Sequence, residues 1–150
     1  MIRRYGEVPD PRQTYTLRPG AYAILPYGGA LLLTCQLAEI PDLQLPGGGI
    51  DPGESPIAAL HREVFEETGW HIARPRRLGA FRRFTYMPEY DLWAEKLCTL
   101  YVATPVLKIG DPLEPDHEVI WMPPELAATR LGGAGDRAFV RGYIRSFAAQ

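Results

Sequence analysis

Over the first third of the chain, apolar positions fall in runs rather than in strict alternation. Ala21 to Leu25 and Ala30 to Cys35 are two such runs, with Pro26-Tyr27-Gly28-Gly29 between them. The pattern predicts a hairpin, and the unbroken apolarity predicts a sheet covered on both faces. Leu43-Gln44-Leu45 reads as a short strand that delivers the chain into a glycine-rich loop, Gly47-Gly48-Gly49. From Pro56 the period changes. Wound at about 100° per residue, Ile57, Ala58, Leu60, Val64 and Phe65 gather on one side of a helix. Glu63, Glu66 and Glu67 gather on the other, with Arg62 beside them. Ser55 suits the N-cap, Pro56 the first helical position and Gly69 the residue just past the end, so the helix is predicted over 56–68.

The rest of the chain carries weaker periods. Residues 1–19 are polar and punctuated by proline, which predicts a loose arm with at most one short strand; the alternatives are an arm that crosses to a partner subunit or closes over substrate. Residues 74–86 are basic and aromatic, and the second half is predicted as a strand. Residues 87–93 read as a loop, 96–106 as a strand limited by Pro105, and 108–115 as a second loop. His117 to Met122 is a last short strand, followed by a short helix near Glu125 to Arg130 and a break at Gly132-Gly133. Asp136 can cap a final helix whose Phe139, Val140, Tyr143, Ile144 and Phe147 form a packing face. These elements predict an α+β protein, a mixed sheet layered with one central and one C-terminal helix.

Composition changes this picture little. A length of 150 residues predicts a single domain over 1–150 with a proper core. Apolar content of 46%, charged content of 23% and a formal charge of −2 are ordinary, and give no general attraction to nucleic acid or membrane. Cys35 and Cys98 lie in apolar runs and are expected as buried free thiols. The first residues lack the apolar stretch of a signal peptide and no run is long enough to span a bilayer, so a cytoplasmic location is expected.

The candidate chemistry lies between Leu45 and Trp70. Glu63 stands one helical turn from both Glu66 and Glu67, and like charges at that spacing cost a helix a few tenths of a kcal/mol per pair. A hard cation would turn that cost into a gain, since carboxylate oxygens are ligands for magnesium, manganese or calcium. A cation in the acidic patch would also let it attract a phosphate. Glu54 adds a fourth carboxylate at the loop–helix junction. A solvated acidic helix face is the bland alternative. Against it stands the whole arrangement: glycine, five residues, glutamate, seven residues, then R-E-V-F-E-E-T-G-W.

That arrangement resembles the Nudix box, G-x5-E-x7-R-E-U-x-E-E-x-G-U, where U is a bulky apolar residue. Gly48, Glu54, Arg62, Glu63, Val64, Glu66, Glu67, Gly69 and Trp70 fill its fixed positions, with an aromatic residue at the last. The resemblance implies the Nudix fold, an α/β/α sandwich with a mixed β-sheet, the Nudix helix and a C-terminal helix. It implies hydrolysis, with Mg2+ or Mn2+, of a nucleoside diphosphate linked to another moiety X. Glu63 and Glu67 would then be the main metal ligands, Glu66 would complete the cluster, and the Gly47 carbonyl would be a further ligand. Arg62 would orient the glutamates, Glu54 would support the loop–helix junction, and Gly48 and Gly69 would have backbone roles. Many relatives pair, so a homodimer through the N-terminal arm and the 74–86 strand is an expected assembly.

The box leaves the general base open between one of its own glutamates and a later acid. Among Glu114, Asp116, His117 and Glu118, Glu118 is the expected late carboxylate at the metal. His61, His71 and His117 have no ligand spacing and are expected as surface or core residues. Arg82, Arg83 and Tyr86 are the candidate substrate wall, arginine for phosphate and aromatics for a base. Tyr86 sits where dinucleoside polyphosphate hydrolases often carry a tyrosine, the proline frequent in ADP-ribose pyrophosphatases is displaced to Pro88, and a nucleoside triphosphate substrate remains open. A nucleotide-sensing Nudix-fold module without turnover is the main alternative, though such modules usually lose box glutamates that this chain keeps.

Overall fold

The computed structural model describes residues 2–148. Two sheets form the middle layer. The first is mixed and runs β1 (Arg3–Arg4), β7 (Trp70–Met87), β8 (Leu92–Lys108), β2 (Thr16–Ile24), β6 (Gly47–Gly49) from edge to edge. In it β1 pairs β7 and β2 pairs β8 in parallel, while β7–β8 and β2–β6 are antiparallel. The second is centred on β4 (Ala30–Gln36), which pairs antiparallel with β3 (Pro26–Tyr27), β5 (Asp42–Gln44) and β9 (His117–Met122).

Alternate residues of a strand face opposite ways, and here each way is a core. Ala21, Ala23, Leu25 and Leu32 pack with Leu60 and Val64 of α1 (Pro56–Thr68). Ile24, Leu31, Leu33 and Leu100 pack instead with Ala127, Ala128 and Val140 of α2 (Pro124–Arg130) and α3 (Ala134–Ala148). Helices on both faces explain the unbroken apolar runs and make the α/β/α sandwich. Helix α1 has the predicted bounds: the Ser55 hydroxyl accepts from the Ala58 N–H at 3.1 Å, and Gly69 closes the end at φ 75°. A side chain at Gly69 would also meet the Gly110 carbonyl at 2.0 Å, so the cap doubles as a close crossing between α1 and the segment after β8.

Four expectations change. Only the end of the first apolar run forms the predicted hairpin, through β3 and the bond from the Leu32 N–H to the Leu25 carbonyl; residues 16–24 leave for the other sheet and pair with β8 and β6. The glycine loop is a strand, because β2 offers it a ladder that side-chain period cannot announce. The N-terminal arm is docked. Arg3 and Arg4 pair with Phe81 and Arg82, and the Tyr5 ring meets Phe81 edge-on at 5.7 Å. The two segments suggested for a dimer contact thus pair with each other within one chain. Pro105 does not end its strand, which absorbs it at an irregularity opposite Ile72. Cys35 and Cys98 are buried free thiols.

Candidate functional site

A cleft of about 510 Å3 runs between the exposed side of α1, strand β6, strands β7 and β8, and the start of α3. Its helix wall follows from the 3.6-residue period. Arg62 organises it. The Arg62 Nε and Nη2 donate to the two oxygens of Glu54 at 2.8 and 2.9 Å. Its Nη1 donates to Glu63 at 2.9 Å and Glu66 at 3.3 Å, and Nη2 also reaches the Gly49 carbonyl at 3.0 Å. One guanidinium therefore ties the strand, the junction and the helix together. The forked bond from Arg62 holds the Glu54 carboxyl down at about 2. Both Glu54 oxygens accept from Arg62, which ties the loop–helix junction to the helix.

Glu67 is set deeper, only 3% exposed. It accepts from the Gly47 N–H at 3.1 Å and from the Thr34 hydroxyl at 3.4 Å. Burial raises its pKa to about 8, against the opposing effect of the Gly47 hydrogen bond. Burial likewise raises that of Glu63, with Arg62 opposing. Gly48 leaves room for the Glu63 carboxylate, since a Cβ there would lie 2.5 Å from its carboxyl carbon and displace it. Gly47 faces Tyr22 across the ladder. Its neighbours on that register, Ala23 with Pro46 and Pro19 with Ile50, are joined by hydrogen bonds to the strand. Alternation then turns the N–H and C=O of Gly47 away from β2. The N–H is spent on Glu67, and the carbonyl is left on that side, available to a cation.

The β8–β9 segment completes the cluster. The Leu113 and Glu114 N–H groups donate to the Glu66 carbonyl at 2.8 and 3.3 Å. This brings a Glu114 oxygen within 4.8 Å of oxygens on Glu63 and Glu66. His117 bridges the two elements, with Nδ1 3.0 Å from Glu114 and Nε2 3.6 Å from Glu67. Glu118, the expected late carboxylate, is not in this group. Its neighbour His117 faces the cluster, so Glu118 projects from the opposite face of β9, beside Cys35, and is exposed. Glu114 lies beside Glu63 and Glu66 in its place, and His117, expected as an ordinary surface or core residue, lines the cleft. A one-residue offset in a strand decides such a choice, and no period near residue 117 reveals it.

The opposite wall also departs from expectation. Of the three proposed substrate residues only Arg83 lines the cleft, with Phe81 and Phe84. Arg82 is turned to Glu95, 3.2 Å away, and the Tyr86 hydroxyl bonds Asp91. The wall gains Lys96, whose ammonium lies 5.9 Å from the centre of the Tyr22 ring. It also gains Asp136 at the start of α3, where burial raises the carboxyl to about 6. Among the described residues, neither Arg83 nor Lys96 has a carboxylate within salt-bridge distance. Tyr5, Gly6 and Glu7 lie at the cleft too, which favours the alternative in which the arm closes over substrate.

The carboxylates of one wall thus face Arg83 and Lys96 on the other, two cations without a carboxylate at salt-bridge distance among the described residues. The family model described as the NUDIX domain matches residues 16–143. The chain belongs to the Nudix family. A Bacillus subtilis (strain 168) protein provisionally named an 8-oxo-dGTP diphosphatase is 35% identical over 74 residues, 49% of this chain and 50% of that protein. An 8-oxo-(d)GTP phosphatase of Mycolicibacterium smegmatis is 32% identical over 112 residues, 69% of this chain and 30% of that protein. An RNA pyrophosphohydrolase of Helicobacter pylori (strain G27) is 52% identical over 42 residues, 24% of this chain and 27% of that protein. The matches span half or less of the length of these relatives. Among solved structures, a NUDIX hydrolase from Nitrosomonas europaea superposes with a TM-score of 0.69 at 19% identity, covering 89% of this chain and 90% of that one. A MutT protein from Methanosarcina mazei Go1 does so at 0.67 and 21% identity, covering 88% and 96%. The fold is therefore the Nudix fold. No helix of the described residues is long and apolar enough to cross a membrane.

Proposed function

We propose that this Nudix protein hydrolyses a phosphoanhydride bond in a nucleoside diphosphate linked to a further group, with Mg2+ or Mn2+ held by Glu63, Glu66, Glu67, Glu114 and the Gly47 carbonyl. The observation that carries the proposal is the approach of Glu63, Glu66 and Glu114 oxygens within 4.8 Å of one another. Hard oxygen donors at that spacing suit these cations, which would add to the charge balance that Arg62 gives Glu63 and Glu66. When bound, a divalent cation supplies charge for the phosphate oxygens and lowers the pKa of a water.

The chain's own residues do the rest. Arg62 fixes the orientation of Glu63 and Glu66, and Gly47 and Thr34 fix Glu67. Arg83 and Lys96 hold phosphate oxygens from the opposite wall. Phe84 and Tyr22 offer ring surface to a base, with the buried Phe81 behind them, and Asp136 offers it a hydrogen-bonding edge. Water oxygen bonds to phosphorus, the bridging P–O bond breaks, and the departing oxygen leaves with its electron pair. The proton lost by water passes to a cluster carboxylate, which we assign to Glu114, a residue of the β8–β9 segment that, like Glu67, lies outside the Arg62 network. Positioning and charge account for the catalysis, as phosphoryl transfer requires little covalent help.

The names of the relatives put oxidised guanine nucleotides and RNA among the substrates to test. A panel of normal and oxidised nucleoside triphosphates, 5′-triphosphorylated RNA, ADP-ribose and nucleotide sugars, with Mg2+ and product identification by mass, tests the reading. Turnover that names the bond cut supports it. Binding of these nucleotides with no turnover would favour the sensing module instead.

A further inference from the structure

A second cavity, of about 490 Å3, opens from the metal cluster on the side away from α3. It shares Tyr22, Gly49, Glu63 and Lys96 with the main cleft. The two spaces are therefore neighbours on either side of a proposed metal ligand, Glu63, and a proposed phosphate cation, Lys96. Each lies within the roughly 300–1,000 Å3 of small-molecule sites, so each is large enough for a nucleoside. The diphosphate proposed above would lie at their junction, and what hangs from its two ends would point into the two cavities.

The second cavity has its own chemistry. It lies between the start of β2, the residues after β6 and the turn joining β7 to β8. The Arg18 guanidinium is 4.6 Å from the centre of the Tyr90 ring, and among the described residues it has no carboxylate within salt-bridge distance. Tyr90 is 57% exposed and Leu17 56%, so ring and apolar surface are offered to the opening rather than packed. An arginine laid on a tyrosine is a platform for a further planar ring. Asp51 and Glu89 also line the space. They oppose a terminal phosphate there and accept from hydroxyls.

We propose that Arg18 and Tyr90 form a second subsite, which binds a nucleoside carried on the far side of the cleaved bond. Resting on the hydrolase reading, it assigns X as a base-bearing, hydroxyl-rich group rather than a bare phosphate. The subsite makes substrates with a nucleoside at both ends of the phosphate bridge better than those with one.

The test compares kcat/KM for diadenosine and diguanosine tetraphosphates with that for ATP and GTP, in the wild type, Arg18→Ala, Tyr90→Ala and Tyr90→Phe. The two-ended to one-ended ratio should exceed one in the wild type. In Tyr90→Ala it should fall about tenfold, mainly through KM, as loss of one stacked base predicts. Arg18→Ala should lower it similarly, and Tyr90→Phe should keep it. A ratio unchanged in both alanine variants overturns the subsite. Calorimetry of the same ligands on Glu67→Gln protein, with and without Tyr90→Ala, separates the two readings. If the wild type turns over neither class but the alanine change still weakens two-ended binding tenfold, the subsite stands and the hydrolase reading falls. Equal binding with and without Tyr90→Ala removes the subsite whatever the turnover.

Discussion

On the helix side of the cleft, Glu63 and Glu67 line the space and Arg62 and Glu66 stand beside them, all within six consecutive positions, whereas the facing wall draws Arg83, Lys96 and Asp136 from three separate elements. On the helix wall, one guanidinium bonds three glutamates within one turn or across one tight junction. On the facing wall, the two cations have no carboxylate at salt-bridge distance among the described residues and stand free for an anion. Acids clustered against one shared arginine suit a cation of high charge. Basic groups without partners suit the phosphate that such a cation brings. Local sequence can encode the first arrangement, and only the tertiary fold can encode the second.

The largest expected effect comes from packing the helix wall more tightly. Gly48→Ala would push a methyl group into the Glu63 carboxylate, and should lower kcat by roughly a hundredfold, as a misplacement of about 1 Å can. Circular dichroism should show the fold retained, which separates displacement from unfolding. Removing the loop carboxylate should follow closely. Glu114→Gln should reduce kcat by about tenfold to a hundredfold, whereas Glu118→Gln, on the far face of β9, should stay within about twofold. Equal losses in the two variants would break the assignment of the base to the β8–β9 segment.

The facing wall should respond differently. Lys96→Ala should raise KM by about tenfold with a smaller change in kcat, since it removes one charge-assisted phosphate contact made in the ground state as well. A fall in kcat alone would move Lys96 into the chemistry. The buried acids give a further contrast, readable from thermal melts. The folded-state pKa is raised to about 8 for Glu67 and about 6 for Asp136, above ordinary values of 4.5 and 3.8. In that window the folded chain binds more protons than the unfolded one. Their contribution is therefore complete below about pH 4 and is lost as pH rises towards 8. Metal-free protein should melt at a lower temperature at pH 8.5 than at pH 5.5, and Mg2+ should restore more at the higher pH, where the ligands are ionised. A flat or rising profile without metal would show that these groups are not buried as described.

How far the fold was legible follows the same division. Helix α1 could be read to its last residue because Ser55, Pro56 and Gly69 mark its ends and its two faces differ in chemistry. The strand over Gly47–Gly49 could not, because three glycines have no side-chain period and their pairing depends on β2 from elsewhere in the chain. Composition marks 74–86 as a basic aromatic stretch but not which residues face inward, so it does not separate Arg83 from Arg82 and Tyr86. Three register irregularities in β7, and Arg74 at φ 54°, further obscure its alternation. Local sequence does not separate Glu114 from Glu118 either. What places Glu114 is a pair of backbone bonds to the end of α1, a contact between segments that no local pattern records.

The most direct measurement is hydrolysis of a substrate from the panel in isotopically labelled water, with Mg2+, by the wild type and Glu63→Gln. Metal-dependent turnover, label in one phosphate product, and a rate at least about a hundredfold lower in the variant are the expected results. Turnover that persists in chelator, or that Glu63→Gln leaves unchanged, would contradict a metal-centred hydrolysis at this cluster.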